Sequence, residues 1–245
     1  MNRPASARLL SRAALAALVG VIAWNALSWT QPQWAFGLIE RLTPNVVWRV
    51  RTGEPLVGLS FDDGPSPDHT PIVLEILRRY GVKATFFLIG ERAMRHPFLV
   101  QRLKDEGHEV ANHYFMSGAV LGHSDADFAA YLDRTEAAIN LTGPVRLFRP
   151  PGGVAWPRQL RLARERGYRC VLGSAYPHDP AHPPVAYMRW LVEKNLAPGT
   201  IVILHDGIAD PSKTIEALPG VLDAGARRGL TFVPVGRLMA TGRGD

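Results

Sequence analysis

From Pro55 to the C-terminus the chain repeats one unit: a short apolar run, then a longer stretch with apolar residues at helical spacing, with Gly or Pro at the joins. Strands alternating with helices are the pattern of parallel strands joined by helices. Strands are expected at residues 56–61, 83–89, 109–112, 145–149, 169–174, 200–205 and 231–235. Helices fall between them. Those at 72–80, 97–106 and 157–166 close at Gly81, Gly107 and Gly167, where a helix can stop in the left-handed region. Thr70-Pro71 reads as an N-cap and first helical residue. Ser124 with Asp127 reads as a capping pair, opening a helix that runs through Asn140 and ends near Gly143. Further helices are expected at 185–195 and at 215–228, the last kinked or interrupted at Pro219. About seven strand-helix units in series, in a chain of 245 residues with 47% hydrophobic content, favour an α/β fold closed or nearly closed into a (β/α) barrel.

In such a barrel, chemistry sits at the carboxyl ends of the strands. The first strand, Leu56-Val57-Gly58-Leu59-Ser60-Phe61, stops at two adjacent carboxylates, Asp62 and Asp63, and a Gly64-Pro65 turn. Neighbouring side chains on an extended backbone point to different sides, so one Asp can hold a cation while the other faces what the cation polarises. His113 ends the third strand, Arg149 the fourth, and His205 with Asp206 the sixth, while Asp179 lies just beyond the fifth. Ionisable groups ending several different strands should converge on one rim. His69, His123 and His178 fall on loops at the same rim; His108 is expected to pack or cap at the start of the third strand.

In order, Ser60-Phe61-Asp62-Asp63-Gly64-Pro65, Ala84-Thr85-Phe86-Phe87, Gly107 to His113, Arg149-Pro150-Pro151-Gly152-Gly153 and Ile203-Leu204-His205-Asp206 resemble the polysaccharide deacetylase family (NodB homology, carbohydrate esterase family 4). The resemblance runs from about Pro55 to Val235. It implies a distorted barrel and a metal-dependent hydrolase that removes acetyl groups from N-acetylated sugars. By motif position, Asp62 resembles the general base, Arg149 the residue that orients it, His205 the general acid and Asp179 the carboxylate that tunes the acid. Asp63 and His113 resemble ligands of a divalent metal ion, with zinc the first candidate. Amide hydrolysis needs those parts: an activated water, a clamp on the carbonyl oxygen and a proton for the leaving amine.

The chain also departs from the pattern. Ser117 stands where the family's second metal His is expected, and a neutral hydroxyl is a poor zinc donor. Weak, exchangeable metal binding is therefore expected, with His123 the first loop residue to assist. Gly152 stands where Tyr is usual, leaving its backbone N–H to face an oxyanion, and Tyr176 lies beside Asp179 as a substrate-site residue.

Ahead of the barrel, Arg3, Arg8 and Arg12 precede an apolar run from Ala13 to Trp29, and Trp24, Trp29 and Trp34 suit a membrane interface. Residues 1–30 are read as an uncleaved signal anchor, in preference to a cleaved signal peptide with a small-residue site at Ala26-Leu27-Ser28. Residues 31–54 are read as an amphipathic connector broken at Pro44, and 55–245 as the deacetylase-like barrel. The catalytic domain is thus expected on the non-cytoplasmic side of a membrane, or secreted. A formal charge of +6 is scattered among helices without interleaved aromatics, which argues against nucleic-acid binding. Cys170, the only cysteine, excludes an intrachain disulfide and reads as core packing. The expected substrate is an N-acetylhexosamine-containing glycan. A weakly active or inactive glycan-binding relative and a hydrolase of small non-sugar amides are the alternatives, the first turning on Ser117.

Overall fold

A computed structural model describes residues 5–118, 120–141 and 145–242, with side chains from residue 17 onward except that of Trp24. The chain begins with α1 (Ala5–Thr30) and α2 (Gln33–Leu42) and continues through β1 (Val46–Val47), β2 (Leu56–Gly64), α3 (Thr70–Tyr80), β3 (Thr85–Leu88), α4 (Gly90–Arg95) and α5 (Pro97–Asp105). Then follow β4 (Glu109–Asn112), α6 (Asp125–Ile139), β5 (Arg146–Phe148), α7 (Pro157–Glu165), β6 (Tyr168–Val171), α8 (Val185–Asn195), β7 (Ile201–His205), α9 (Ser212–Arg227), β8 (Thr231–Val233) and α10 (Val235–Met239).

Each of the expected barrel strands forms, and each named ladder is parallel. The order is β1-β6-β5-β4-β3-β2-β7, with β8 also paired to β2. Strand β2 is the hub. Its residues 56–58 take β8, 58–62 take β7 and 60–64 take β3. Burial explains the choice, since Val57, Leu59, Ser60 and Phe61 are inaccessible to solvent and only a strand covered on both faces reads as a continuous apolar run. The expectation of an α/β fold with a distorted barrel, closed or nearly closed, holds as far as a curled parallel half-barrel. Between β6 and β7 only an isolated Ala175–Val202 bridge crosses, and β1, paired with β6, lies at the same gap, where Arg49 bridges to Thr200. Inside the curl pack Phe87, Ala111, Leu147, Val171, Ile201 and Val235. Outside it, Leu59, Phe61, Leu74, Leu77, Phe86, Leu103, Val192 and Leu222 join the sheet to its helices.

Local signals mostly decided the helix ends. Ser124 caps α6 by accepting from the Asp127 amide at 3.1 Å, and Asn140 ends it in the left-handed region. Gly81 ends α3 at φ 64°. Residues 142–144, where the end near Gly143 was expected, lie outside the description. Two expectations need correcting. His69, not Thr70, precedes α3, because the Thr70 hydroxyl is spent on the Ser66 amide and on Asp206. Helix α9 runs unbroken past Pro219, held by the buried Ala217, Leu218, Val221 and Leu222 on either side of it.

Cys170 is buried and its thiol is pushed up to about 12 by burial, as fits a packing residue. His108 is buried, accepts the Ala84 amide at 3.2 Å and meets Phe86 edge-on. Of the expected anchor, Arg3 lies outside the described residues and the side chains of Arg8, Arg12, Leu15 and Trp24 lie outside it too. Among the described residues no helix is long and apolar enough to cross a membrane.

Candidate active site

Register brings the acid and base candidates together. Asp62 lies opposite His205 in the β2–β7 ladder, at the carboxyl end of both strands. Arg149 follows β5 and reaches across the inside of the curl, where its Nη1 donates to Asp62 Oδ1 at 2.5 Å and to Ser60 Oγ at 2.9 Å. Its Nε donates to the Val171 carbonyl at 3.0 Å and its Nη2 to that of Leu172, and the guanidinium lies over the Phe87 ring at 4.0 Å. Only 1% of Arg149 is exposed, so burial lowers its pKa and the Asp62 carboxylate works to restore it. A guanidinium fixed at its carbonyl bonds and stacked on an aromatic face leaves Asp62 one orientation.

The second pair is built alike. Asp179 accepts the His205 amide at 2.7 Å and its Nδ1–H at 2.9 Å, and takes the Thr214 hydroxyl at 2.8 Å. Burial opposes charge on His205, but Asp179, by charge and hydrogen bond, together with the charges of Asp62 and Asp63, raises its pKa to about 9. With Nδ1 committed, Nε2 is the nitrogen left for a substrate. Ser60 and Thr214 complete the two pairs: Ser60 opens the Ser60 to Pro65 motif but had no role assigned, and Thr214, in the first turn of α9, carries no sequence signal of its own.

Asp63 is turned differently. The β2–β3 register shifts between Asp62 and Gly64, and Asp63 takes φ 68°, so the two carboxylates diverge through a bulge as well as through strand alternation. Gly207 makes the bulge possible, since a Cβ there would lie 2.0 Å from the Asp63 carbonyl oxygen. Arg92 donates to that oxygen at 2.7 Å and to the Gly207 carbonyl. Asp63 Oδ1 lies 3.4 Å from His113 Nε2. Burial raises the Asp63 carboxyl, but the hydrogen bond and charge of His113, with the charges of His205 and Arg92, hold it at about 2. Behind this turn Asp206 is wholly buried. Its Oδ1 is without a hydrogen bond, Oδ2 accepts from Thr70, and burial pushes it up to about 7.

His113 Nδ1 meets the Arg149 carbonyl at 2.9 Å; a carbonyl only accepts, so Nδ1 carries the proton. Its Nε2 then faces a carboxylate with a lone pair unless a cation or proton stands between them. The pair therefore fits a divalent cation with an oriented imidazole and an ionised carboxylate. Ser117 is exposed. The rim histidines have other partners: His123 Nδ1 meets the Tyr114 hydroxyl at 2.9 Å and its ring stacks on Tyr114, His69 bonds Ser66, and His178 stacks on Trp29. Among the described residues no group of three or more His, Cys, Asp or Glu side chains clusters as a metal site. Gly152 sits exposed in a 3-10 turn at φ 68°, with open space where a Cβ would project. Tyr176 packs against His205 with ring centroids 5.8 Å apart.

The model of the family described as polysaccharide deacetylase matches residues 49–171. The chain is 40% identical over 200 residues to the peptidoglycan-N-acetylglucosamine deacetylase of Bacillus cereus, covering 80% of this chain and 94% of that one. It is 36% identical over 162 residues to the chitooligosaccharide deacetylase of Sinorhizobium fredii, covering 65% and 75%. The crystal structure of the Bc1960 peptidoglycan N-acetylglucosamine deacetylase superposes with a TM-score of 0.76 at 27% identity, over 81% of this chain and 95% of that one. A family 4 acetyl xylan esterase from Clostridium thermocellum, solved with a cobalt ion, gives 0.69 at 30% identity, over 76% and 90%. A curled parallel sheet with ionisable groups at its strand ends, matched over most of its length by such relatives, belongs to the polysaccharide deacetylase family, carbohydrate esterase family 4, and the chain is a hydrolase of carbon–nitrogen bonds other than peptide bonds.

Proposed function

We propose that the enzyme removes the acetyl group from N-acetylglucosamine units of a cell-envelope glycan or its oligosaccharides, releasing acetate. The observation that carries the reading is the Asp62–His205 register, which sets a carboxylate and an imidazole with separate partners side by side across one ladder. Asp62, oriented by Arg149, is the base that takes a proton from water. His205, kept protonated by Asp179, is the acid that gives its Nε2 proton to the departing amine. An acid–base pair requires one group free to take a proton and one that carries a proton to give, and Asp179 keeps His205 in the second state. Asp63 and His113 would hold a divalent ion, zinc being the first choice for a carboxylate and an imidazole. Such an ion supplies Lewis-acid polarisation of the acetyl carbonyl. Gly152, exposed and without a side chain, leaves its backbone N–H open to the developing oxyanion, and Tyr176 forms a wall of the sugar site.

The relatives named for peptidoglycan N-acetylglucosamine and for chitooligosaccharides support this substrate class. A membrane anchor is part of the reading: Leu18, Val19, Val21 and Ile22 are each more than half exposed, as are Trp34, Leu38 and Leu42 along one face of α2. Acetate release from peptidoglycan, from N-acetylglucosamine oligomers and from small acetamides, each with and without added zinc or cobalt, tests the assignment. Turnover of the small amides alone would overturn it.

A further inference from the structure

The end of α1 grips the loop that carries the acid's carboxylate. Gln31, 8% exposed, uses its side-chain amide as a strand would use its backbone: Oε1 accepts the Tyr176 amide at 2.9 Å and Nε2 donates to the Tyr176 carbonyl. Gln33 Nε2 donates to the Ser174 carbonyl at 3.1 Å. His178 stacks on Trp29 with centroids 4.6 Å apart, and its Nε2 donates to the Ser28 carbonyl at 3.0 Å. The Tyr176 ring is held between His178, 4.7 Å away, and His205. The next residue after His178 is Asp179.

Residues 174–179 are therefore clamped from both sides: His205 and Thr214 hold Asp179 from within, and residues 28–33 hold the preceding backbone from without. Loops move more readily than strands, and a carboxylate on one keeps its partner's geometry only if its backbone is fixed. Two bonds from one side chain to both polar groups of a single residue fix the backbone there, at the residue whose ring touches the acid. Residues 28–33 precede the stretch that the family model matches.

We propose that Gln31 is a positioning residue for the reaction: it holds Tyr176, and through it the Asp179–His205 pair, so that the juxtamembrane end of α1 is a working part of the active site. The proposal rests on the reading of His205 as the acid. Groups facing His205 are Asp179, Asp62, Asp63 and the Tyr176 ring, so the basic limb of the pH–rate profile reports how well Asp179 is held.

The test uses full-length protein in detergent, an N-acetylglucosamine pentamer and saturating zinc. Gln31→Met, matched in size but unable to bond, should lower kcat roughly tenfold with KM within about twofold, since misplacing a proton donor costs rate rather than binding. Its basic limb should fall by about one pH unit, the scale of one weakened charge partner. The downfield proton resonance of His205 Nδ1–H should broaden. Tyr187→Phe and Lys194→Met remove bonds from α8 to the Trp29 and Thr30 carbonyls and loosen the same helix end without touching the loop. They should leave kcat and the pH limb in place. If Gln31→Met melts below the assay temperature, Gln31→Glu, which keeps the acceptor and loses the donor, carries the test with a smaller change of the same sign. A Gln31 variant indistinguishable from Tyr187→Phe overturns the proposal. Should His205→Ala and Asp179→Asn also keep wild-type turnover, the acid assignment falls and takes the proposal with it; if they are inactive while Gln31→Met is unaffected, the positioning role alone is lost.

Discussion

The rim has two halves built to different standards. On the proton-transfer side, Asp62, Arg149, Asp179 and His205 are each 9% exposed or less, and each is fixed by at least one partner within 3.0 Å. On the cation side, Asp63 and His113 face each other at 3.4 Å, and the loop that follows leaves Ser117 exposed. Both halves draw on strands and on the connections after them: Asp62, His205 and Asp63 lie on strands, whereas Arg149, Asp179 and His113 lie beyond strand ends. Buried charge is tolerable only when paired and hydrogen-bonded, so the proton-transfer half must be complete before any ligand arrives. The cation half can be left partly made because water and substrate can finish its shell. The lesson is that activity should respond to the two halves differently: absolutely to the first, and to metal concentration through the second.

The sharpest break in that contrast is also the largest expected effect. Asp62→Asn and His205→Ala should each cut acetate release by roughly a hundredfold or more, the scale of a positioned proton-transfer group. Thermal unfolding should remain cooperative, and no excess of zinc should rescue either variant. Rescue by metal would mean that the halves are not separate.

Asp179→Asn sharpens the comparison through pH. His205 is raised from 6.5 to about 9 in the folded protein, chiefly because Asp179 overcomes the cost of burial. A histidine whose folded pKa exceeds its unfolded one adds stability that is fully present below about pH 6.5 and is lost as pH rises through about 9. Wild-type denaturation midpoints should accordingly decline across that window. In Asp179→Asn the decline should flatten and the basic limb of kcat/KM should move toward neutral pH. A profile identical to wild type would assign the proton to another group.

The same contrast explains what could be read from sequence. The strands from β2 to β8 were legible because each is an apolar run bracketed by Gly, Pro or a cap, and the residues ending them were legible because chemistry on a parallel sheet collects there. Closure was not, since the Ala175–Val202 bridge and the β1 pairing carry no pattern of their own. Strand alternation foretold that Asp62 and Asp63 diverge, but the bulge depends on Gly207, nearly 150 residues away in the chain. Gln31 was invisible for the same reason. A polar residue after a helix has countless ordinary uses, and only its meeting with Tyr176, 145 residues on, gives it one here.

The smallest effects concern the cation half. Ser117→His adds a better donor on the exposed loop and should tighten zinc binding by about tenfold or more, the scale on which one donor or its support alters affinity, with activity rising only at limiting metal. Calorimetric titration reads the binding directly. Sequence alone nominated His123 as the residue that assists the unsubstituted site. Its Nδ1, however, is taken by the Tyr114 hydroxyl and its ring lies against Tyr114 and Tyr131. Recruiting it to a metal would break that stack and strip a partner from a buried tyrosine, at a cost of about 1–3 kcal/mol. His123→Ala should therefore leave zinc affinity within about twofold and lower thermal stability by a few degrees. A tenfold loss of affinity in His123→Ala would show instead that the loop rearranges when metal binds, and that the cation half is completed by the chain after all.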